Sequence, residues 1–187
     1  MNDIEILKEM FVCAVQVPLQ RKRNQPPYVE LIDTQANTTI EIKGLPCDSI
    51  VIRAEDFKDP LTVFKGSKGE RKRADFVIVS NDGIKKWIIY IEVKRGSRIP
   101  RDHIIAQLRG AQCIMDYCKS IGREFWSAKG FLKGYEYRFV GIARLSIQNQ
   151  PTRVNTSSSY SKRQLHSRPD AFLRVLGRQS LYFNELT

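Results

Sequence analysis

Two short apolar segments between residues 75 and 94 constrain the fold of this chain more than any other feature. The first begins as Asp75-Phe-Val-Ile-Val, and the second reads Trp87-Ile-Ile-Tyr-Ile-Glu92-Val-Lys94. Runs rich in Val, Ile and aromatic residues predict β-strands, and the polar residues 80–83 between them predict a turn. Because side chains alternate along a strand, Glu92 and Lys94 are predicted to share one face. Pairing of the two strands in a hairpin would bring Asp75 beside them.

One helix is predicted before this segment and one after it. Apolar residues at helical spacing predict a first helix over residues 2–17, with Asn2 as its N-cap and Glu5 completing a capping box. A second helix is predicted to begin with Asp102 as its N-cap and to end near Ser120.

Other apolar runs predict further strands, so the chain as a whole is predicted to be of the α/β class. Residues 148–169 are polar, Ser-rich and basic without periodicity, which predicts a flexible loop. The length of 187 residues and the lack of internal repeats predict one domain over residues 1–187. The predicted strands and apolar segments outside the central pair are 28–32 and 38–43 (a hairpin), 49–53, 135–147, 171–176 and 181–186.

Basic residues are in excess and cluster around the two central strands. The chain has 31 Lys and Arg against 20 Asp and Glu, a net charge of +11. Clusters of this kind are typical of surfaces that bind a phosphate backbone, so we predict a nucleic-acid partner. The alternatives are a solvated basic face and a patch that meets an acidic membrane or protein. The residues predicted to contact nucleic acid are Lys65, Lys68, Arg71, Lys72, Arg73, Arg95, Arg98 and Arg101.

The cysteines and the absence of long apolar runs bear on the compartment. Cys13, Cys47, Cys113 and Cys118 form no C-x-x-C pair, and three of them have apolar surroundings. They are therefore predicted to be small buried residues in a reducing compartment, not disulfide or zinc cysteines. No apolar run approaches membrane-spanning length, and no signal peptide precedes the first helix. A cytoplasmic protein without a membrane partner is predicted, with the nucleoid or nucleus also compatible.

The central segment resembles the PD-(D/E)XK nuclease superfamily. In that superfamily an Asp opens one strand and a (D/E)-x-K triplet closes the next, as Asp75 and Glu92-Val-Lys94 do here. Ala74 stands where the family label has Pro, a common departure that affects no metal ligand. The resemblance implies a mixed central β-sheet flanked by helices, an αβββαβ core, to which the hairpin at 28–43 would be an extra insertion.

The resemblance also implies a site and a reaction, the hydrolysis of phosphodiester bonds with Mg²⁺ or Mn²⁺. Asp75 and Glu92 would bind the metal ion, with the backbone carbonyl of Val93 as a third ligand. Lys94 would orient or deprotonate the attacking water, and a role as base requires that its pKa fall. Gln107, the matching residue on the second helix, would hold Lys94, water or phosphate. The alternative for Gln107 is a backbone hydrogen bond at the margin of the apolar stripe.

Many members of the superfamily add a carboxylate from the first helix. Glu9 and Glu5 are the candidates there, and Glu55 before the basic loop is a third. Because Glu5 has the capping role, Glu9 is the predicted additional ligand.

Two other classes of function stay open. One is a non-catalytic nucleic-acid-binding module on the same fold, which would keep the basic patches but need no intact set of Asp75, Glu92 and Lys94. The other is a regulatory subunit whose basic face binds an acidic partner. In the purely structural alternative, Asp75 starts a strand and Glu92 and Lys94 form an ordinary ion pair on an exposed edge. The intact set of Asp75, Glu92 and Lys94 favours a nuclease, with DNA favoured over RNA. No separate recognition domain is evident, so loose or structure-selective cleavage, a homodimer, or targeting by a partner protein is predicted.

Overall fold

Helices and strands are interspersed along the chain, and the predicted α/β class is confirmed. The computed structural model describes residues 1–34, 37–57, 63–95, 100–144 and 165–187. Within these ranges the elements are α1 Asp3–Met10, β1 Gln16–Val17, β2 Tyr28–Asp33, β3 Thr38–Lys43, β4 Asp48–Arg53, β5 Phe76–Asn81, β6 Lys86–Arg95, α2 Arg101–Phe125, β7 Glu136–Arg144, β8 Leu173–Leu176 and β9 Ser180–Tyr182.

Six strands form the main sheet, in the order β1-β4-β5-β6-β7-β8. Strands β4, β5 and β6 pair antiparallel, whereas β6, β7 and β8 pair parallel. The continuous apolar runs of β5 and β6 are buried on both faces, which is the pattern expected for central strands of a covered sheet. The predicted strand at 135–147 is observed from Glu136 to Arg144, where the described residues stop.

The predicted hairpin at 28–43 exists, but it belongs to a separate sheet. Strands β2 and β3 pair antiparallel, and β9 adds to β3 in parallel, with Glu41 beside Ser180. Along β2 the side chains of Val29, Leu31 and Asp33 are buried while their neighbours are more exposed. Because side chains alternate with a period of two, one face of the small sheet is buried against the main sheet.

The main sheet is therefore covered on both faces. The helices α1 and α2 pack on one face, and the small sheet packs on the other. Because alternate residues of a strand point to opposite faces, β6 contributes to both layers. The helix-side layer contains Ile88, Tyr90, Leu108 and Phe139, and the layer between the sheets contains Leu31, Ile40, Phe76, Ile91 and Val93.

The first helix is shorter than predicted. The capping box of Asn2 and Glu5 is present, but α1 ends at Met10 and not at residue 17. Residues 12–17 form a short 3-10 turn and then β1, which pairs with β4 and is the edge strand of the main sheet. The Val-rich sequence of this stretch favours extended backbone, and pairing with the sheet edge overrides the helical spacing.

The second helix begins and ends outside its predicted bounds. It runs from Arg101 to Phe125, with Pro100 at the N-cap position and no side-chain cap. The predicted cap, Asp102, lies inside the first turn, where its carboxylate interacts favourably with the positive end of the helix dipole. Neither α2 nor any other helix in the described residues is long and apolar enough to cross a membrane.

The prediction that the cysteines are buried is wrong for most of them. Cys13, Cys47 and Cys113 are exposed, and Cys118 on the inner face of α2 is buried. The apolar neighbours of Cys13 in sequence lie in the 3-10 turn at the surface, where little covers them. All four are free thiols.

Most of the predicted flexible loop at 148–169 lies outside the described residues, which resume at Leu165. The described end of this segment is packed against the sheet. The backbone carbonyl of His166 accepts a hydrogen bond from the Phe139 N–H. The imidazole Nε2 of His166 forms a hydrogen bond with the Leu186 carbonyl. The later apolar segments form β8, then β9 followed by a 3-10 turn over Phe183–Glu185.

Candidate active site

Asp75 stands at the point where β5 begins. Its carboxylate Oδ2 accepts a hydrogen bond of 2.6 Å from the Val93 N–H on β6. Its backbone carbonyl accepts one of 2.8 Å from Ala54, directly after β4. Asp75 is only 7% exposed, so these bonds hold a buried carboxylate at a fixed place between three strands.

Glu92 and Lys94 lie on β6 next to Asp75, two residues apart. The Lys94 ammonium forms an ion pair with Oε1 of Glu92. Glu92 is completely buried, whereas the Lys94 side chain is about one-third exposed. Apart from this ion pair, no group in the described residues donates a hydrogen bond to either oxygen of Glu92. Such a carboxylate is an unusual feature, because buried charges normally collect several donors.

Burial raises the pKa of both carboxylic acids far above the ordinary range. The pKa of Asp75 is raised to about 7, with the Val93 N–H and Lys94 opposing the shift. The pKa of Glu92 is raised to about 8, by burial first and then by the charge of Asp75. Both buried carboxyl groups are therefore partly protonated near neutral pH.

The protonation of Lys94 differs from the prediction. A role as base was predicted to need a lowered pKa, but the pKa of Lys94 is raised above its ordinary value. Burial lowers this pKa, and the charges of Glu92, Asp75 and Asp33 together outweigh the burial. In this arrangement Lys94 is a cation that donates hydrogen bonds.

Close packing of α2 shapes the space beside Glu92. Glu92 pairs with Gly141 on β7, and a Cβ on Gly141 would lie 2.8 Å from the Phe172 ring and 3.3 Å from Ile104. The first turns of α2 therefore lie close above this part of the sheet. Gln107 follows Ile104 by about one turn and is half-buried.

The additional acids have different positions. The carboxylate of Glu9 is exposed and accepts a hydrogen bond of 3.1 Å from the indole N–H of Trp126. Trp126 follows the last residue of α2, a helix of 25 residues whose first turn lies near the site. Glu9 is therefore held far from Glu92. Glu55 is half-buried beside Asp75, and its pKa is raised by burial and then by the charge of Asp33.

The basic segment before Asp75 folds back on α2. Lys65 and Lys68 are exposed, and the backbone N–H groups of Gly66 and Lys68 bond to the Glu70 carboxylate. A Cβ on Gly110 would lie 1.6 Å from the carbonyl oxygen of Lys72, so the segment touches the helix backbone. This contact is possible only because residue 110 is glycine.

Replacing Gly110 by Ala should displace this basic segment. The methyl group collides with backbone, so we expect a loss of about 1–3 kcal/mol in the free energy of unfolding, measured by urea denaturation. The segment should also become more sensitive to limited proteolysis. Gly130→Ala is the control, because no atom lies within 4 Å of its Cβ position. Equal stability of the two variants would show that the segment does not rest on α2.

The other basic residues predicted to contact nucleic acid lie in the same segment or at the start of α2. Arg71, Lys72 and Arg73 are half-buried, and a guanidinium N–H of Arg73 donates to the Arg71 carbonyl. Arg101 is exposed and donates to the carbonyl of Asp170. The side chain of Arg95 and the whole of residue 98 lie outside the described part of the structure.

Sequence reasoning missed Asp33. This residue ends β2, is 5% exposed, and acts electrostatically on Asp75, Glu92, Lys94 and Glu55. Its position in the alternating pattern of β2 is the sequence signal that could have identified it. Asp33 follows Val29 and Leu31 at a period of two, which places an acid at a core position of the strand.

The acids share a region but do not form a ready-made coordination shell. In the described residues, no three His, Cys, Asp or Glu side chains are positioned together to hold a metal ion. Glu92 is paired with Lys94 instead. The site is thus buried and acidic. Its one cation is the Lys94 ammonium, and the second oxygen of Glu92 lacks a hydrogen-bond donor in the described residues.

Comparison with known proteins adds no relative to this description. No protein-family model, no curated protein and no solved structure gives a significant match to the chain.

Proposed function

We propose that this chain is a metal-dependent nuclease that hydrolyses phosphodiester bonds of nucleic acid, DNA before RNA. The observation that carries the proposal is that two buried carboxyl groups lie at the same end of β6: Asp75 accepts a hydrogen bond from the Val93 N–H, and Glu92 is paired with Lys94. A completely buried carboxylate that has the Lys94 ammonium as its one partner in the described residues is costly to the fold, because buried charges normally collect several donors. Stability alone gives no reason to keep it, whereas a cation-binding role does.

The order of elements supports the same proposal. Helix α1 is followed by the antiparallel strands β4, β5 and β6, then by α2 and the parallel strand β7. This order agrees with the αβββαβ core that the resemblance implies, and the small sheet of β2, β3 and β9 is additional to it.

The chemistry of the donor set fits a hard divalent cation. Carboxylate and carbonyl oxygens are the ligands that Mg²⁺ and Mn²⁺ prefer. Asp75, Glu92 and the backbone carbonyl of Val93 would hold the ion, with Glu55 nearby. When bound, such an ion neutralises charge on the phosphodiester and makes water more acidic. The position of Glu9 beside Trp126 argues against a role for Glu9 as ligand.

Lys94 and Gln107 would act on the substrate side of the site. Lys94 reaches solvent from a buried strand, so its ammonium can donate to a phosphate oxygen or orient the attacking water. A cation bound by Glu92 would compete for the carboxylate that now holds Lys94, which frees the ammonium and lowers its pKa. Gln107 has an amide that can hold the same water or phosphate.

Incubation with nucleic acid tests the proposal directly. Linear and circular DNA and RNA are incubated with Mg²⁺, with Mn²⁺ and with chelator, and the products are resolved on gels. Metal-dependent cleavage of either polymer supports the proposal, and cleavage of circular DNA identifies an endonuclease. Complete stability of every substrate with both metal ions would contradict it.

The basic segment gives a prediction for binding. Replacing Lys65, Lys68 and Lys72 by Ala should weaken binding to all sequences alike, because lysines at phosphates carry no sequence information. Each lost phosphate contact lowers the slope of log K against log salt by about 0.9, so the triple variant should lose about 2–3 units of slope. Fluorescence anisotropy at several salt concentrations measures this slope.

The matched control removes three exposed basic residues near the other end of α2. These are Arg123, Lys129 and Lys133. Their replacement by Ala makes the same change in net charge but should leave the salt slope near that of the unchanged protein. Equal slopes for the two triple variants would show that the basic segment does not face the nucleic acid.

A non-catalytic nucleic-acid-binding module is the second candidate. The ion pair of Lys94 with Glu92 favours it, since Lys94 already supplies a positive charge to the carboxylate. In that case binding and its salt dependence would remain, and divalent metal ions would change neither cleavage nor stability.

A further inference from the structure

We propose that the outward face of the small sheet binds unpaired nucleotides of a nucleic-acid strand, with Tyr28 and Tyr182 stacking on bases and Lys43 between them contacting phosphate. This inference rests on the proposed function in taking nucleic acid as the partner, and it names single-stranded nucleic acid as the class that this surface takes. The surface is separate from the candidate active site. Glu92 is in phase with Tyr90 on the helix side of β6, whereas the small sheet packs on the other side of the main sheet.

Strand register places the three side chains in one row across the small sheet. Tyr28 on β2 pairs with Lys43 on β3, and Lys43 pairs with Tyr182 on β9. The adjacent pair of Ile42 and Leu181 is buried against the main sheet, so the row points to the opposite, outward face. Tyr182 is 57% exposed. Neighbouring strands are about 4.8 Å apart, so the backbones of the two tyrosines lie about 10 Å apart with the lysine between them.

A cleft of about 510 Å³ opens at this row, within the range of sites that take a small ligand. Its lining includes all three side chains together with Lys22 and Glu41. The Lys22 ammonium lies 4.9 Å from the centroid of the Tyr28 ring, and the Tyr28 hydroxyl donates a hydrogen bond of 2.6 Å to Gln20. The ring is therefore held in place before a ligand arrives, which reduces the entropy lost on binding.

The charge of the cleft favours an anion. Lys22 and Lys43 pair with the same carboxylate, that of Glu41, at 3.9 Å and 2.9 Å. One acid balances only one of the two ammonium groups, and the exposed Arg21 and Arg23 flank Lys22 in the chain. Exposed ion pairs contribute little free energy, so a phosphodiester can share or displace them.

Exposed tyrosines on a sheet distinguish unpaired bases from paired ones. In a duplex each base is stacked between its neighbours, so its face is closed to a protein ring. In a single strand the bases stack on aromatic side chains while lysines contact the phosphates. A surface that bound any anion would need the lysines and not the rings.

Fluorescence anisotropy with a labelled oligothymidylate, in chelator, tests the inference. Tyr182→Ala should raise the Kd at least about fivefold, because stacking on one base is lost. Tyr182→Phe keeps the ring and should keep the affinity. Tyr117→Ala is the matched control, because Tyr117 is an exposed tyrosine on α2. None of these variants should change the Kd for a DNA duplex of the same length.

Lys43→Gln gives a second measurement that does not depend on Tyr182. One phosphate contact is lost, so the slope of log K against log salt for the oligothymidylate should fall by about 0.7. Lys133→Gln removes an exposed charge elsewhere and should leave the slope unchanged. Circular dichroism checks the fold of each variant.

Equal Kd values for Tyr182→Ala and Tyr117→Ala would overturn the inference, as would an equal loss of affinity for the duplex. Displacement of the oligothymidylate by polyglutamate at the same concentration of charge would also overturn it, because the cleft would then take an acidic peptide. The cleavage assay is independent of these measurements. A protein that shows the Tyr182 and Lys43 effects but cleaves nothing keeps this surface and loses the nuclease proposal. A protein that cleaves without these effects loses the surface alone.

Discussion

Cleavage of nucleic acid should fall by at least about 100-fold when Lys94 is replaced by Ala, with the metal ion still present. Lys94 is the only cation that the described structure pairs with Glu92, and it is the part of the site that reaches solvent. Without it, the attacking water and the phosphate lose a charged hydrogen-bond donor. Initial rates on labelled DNA at saturating Mg²⁺ measure the loss.

Glu92→Gln should lower the rate at least as much, for a different reason. The amide is nearly the same size but carries no charge, so cation binding is expected to fail while packing is kept. Raising the Mg²⁺ concentration should recover part of the activity of Glu92→Gln and none of that of Lys94→Ala. Glu124→Gln and Lys129→Ala, both at exposed positions away from the site, are the controls. Full activity of Lys94→Ala would refute the assignment and indicate a contaminating nuclease.

The second large effect concerns the stability of the protein without metal. The pKa of Asp75 is raised to about 7 and that of Glu92 to about 8 in the folded chain. Between pH 4.5 and these values the folded state holds protons that the unfolded state has released. The free energy of unfolding should therefore decrease as pH rises through this window, and level off about one pH unit above the pKa of Glu92. Lys94 titrates above this window and does not offset the loss.

Divalent cations should reverse this loss at high pH. At pH 8 Asp75 is largely ionised and Glu92 about half ionised, and a cation at 100 times its Kd should raise the melting temperature by about 5–10 °C. At pH 5 protons occupy the site, so the increase should be small. Differential scanning fluorimetry with Mg²⁺, Mn²⁺ or chelator at both pH values measures it.

Asp75→Asn tests whether the crowded carboxylates cause these effects. It should remove most of the metal response and raise stability in chelator at pH 8, since one of two repelling charges is gone. Glu124→Gln removes a charge from the exposed surface and should change neither quantity. A flat metal titration of the unchanged protein at pH 8 would favour the binding module over the nuclease.

The central part of the site could be predicted because its signals are local. The β-branched runs around Asp75 and Glu92 indicate strands by themselves, and the period of two assigns Glu92 and Lys94 to one face. The ends of the helices were harder to predict from the sequence. Residues 12–17 do not continue the helix, because Gln16 and Val17 pair with β4, and this pairing depends on residues more than thirty positions away in the chain.

Other properties of the site depend on which segments meet in space. The charge of Asp33 contributes to the raised pKa of Asp75 and Glu92 only because the hairpin packs on the main sheet, and packing of that kind leaves no local pattern in the sequence. The raised pKa of Lys94 also depends on the fold, since Glu92 raises it most and the charges of Asp75 and Asp33 from other strands add to the effect. The exposed Cys13 shows the opposite error, because apolar neighbours in sequence do not guarantee cover in the fold.

The parallel pairing of β3 with β9 has a consequence for the timing of assembly. Glu41 and Ser180 lie side by side although 139 positions separate them in the chain. During synthesis on a ribosome, β2 and β3 emerge long before β9 exists. Closing so large a loop is entropically costly and slow compared with local hairpin formation. The small sheet is therefore completed late, and a growing chain carries Asp33 on an unfinished layer until residues 180–186 arrive.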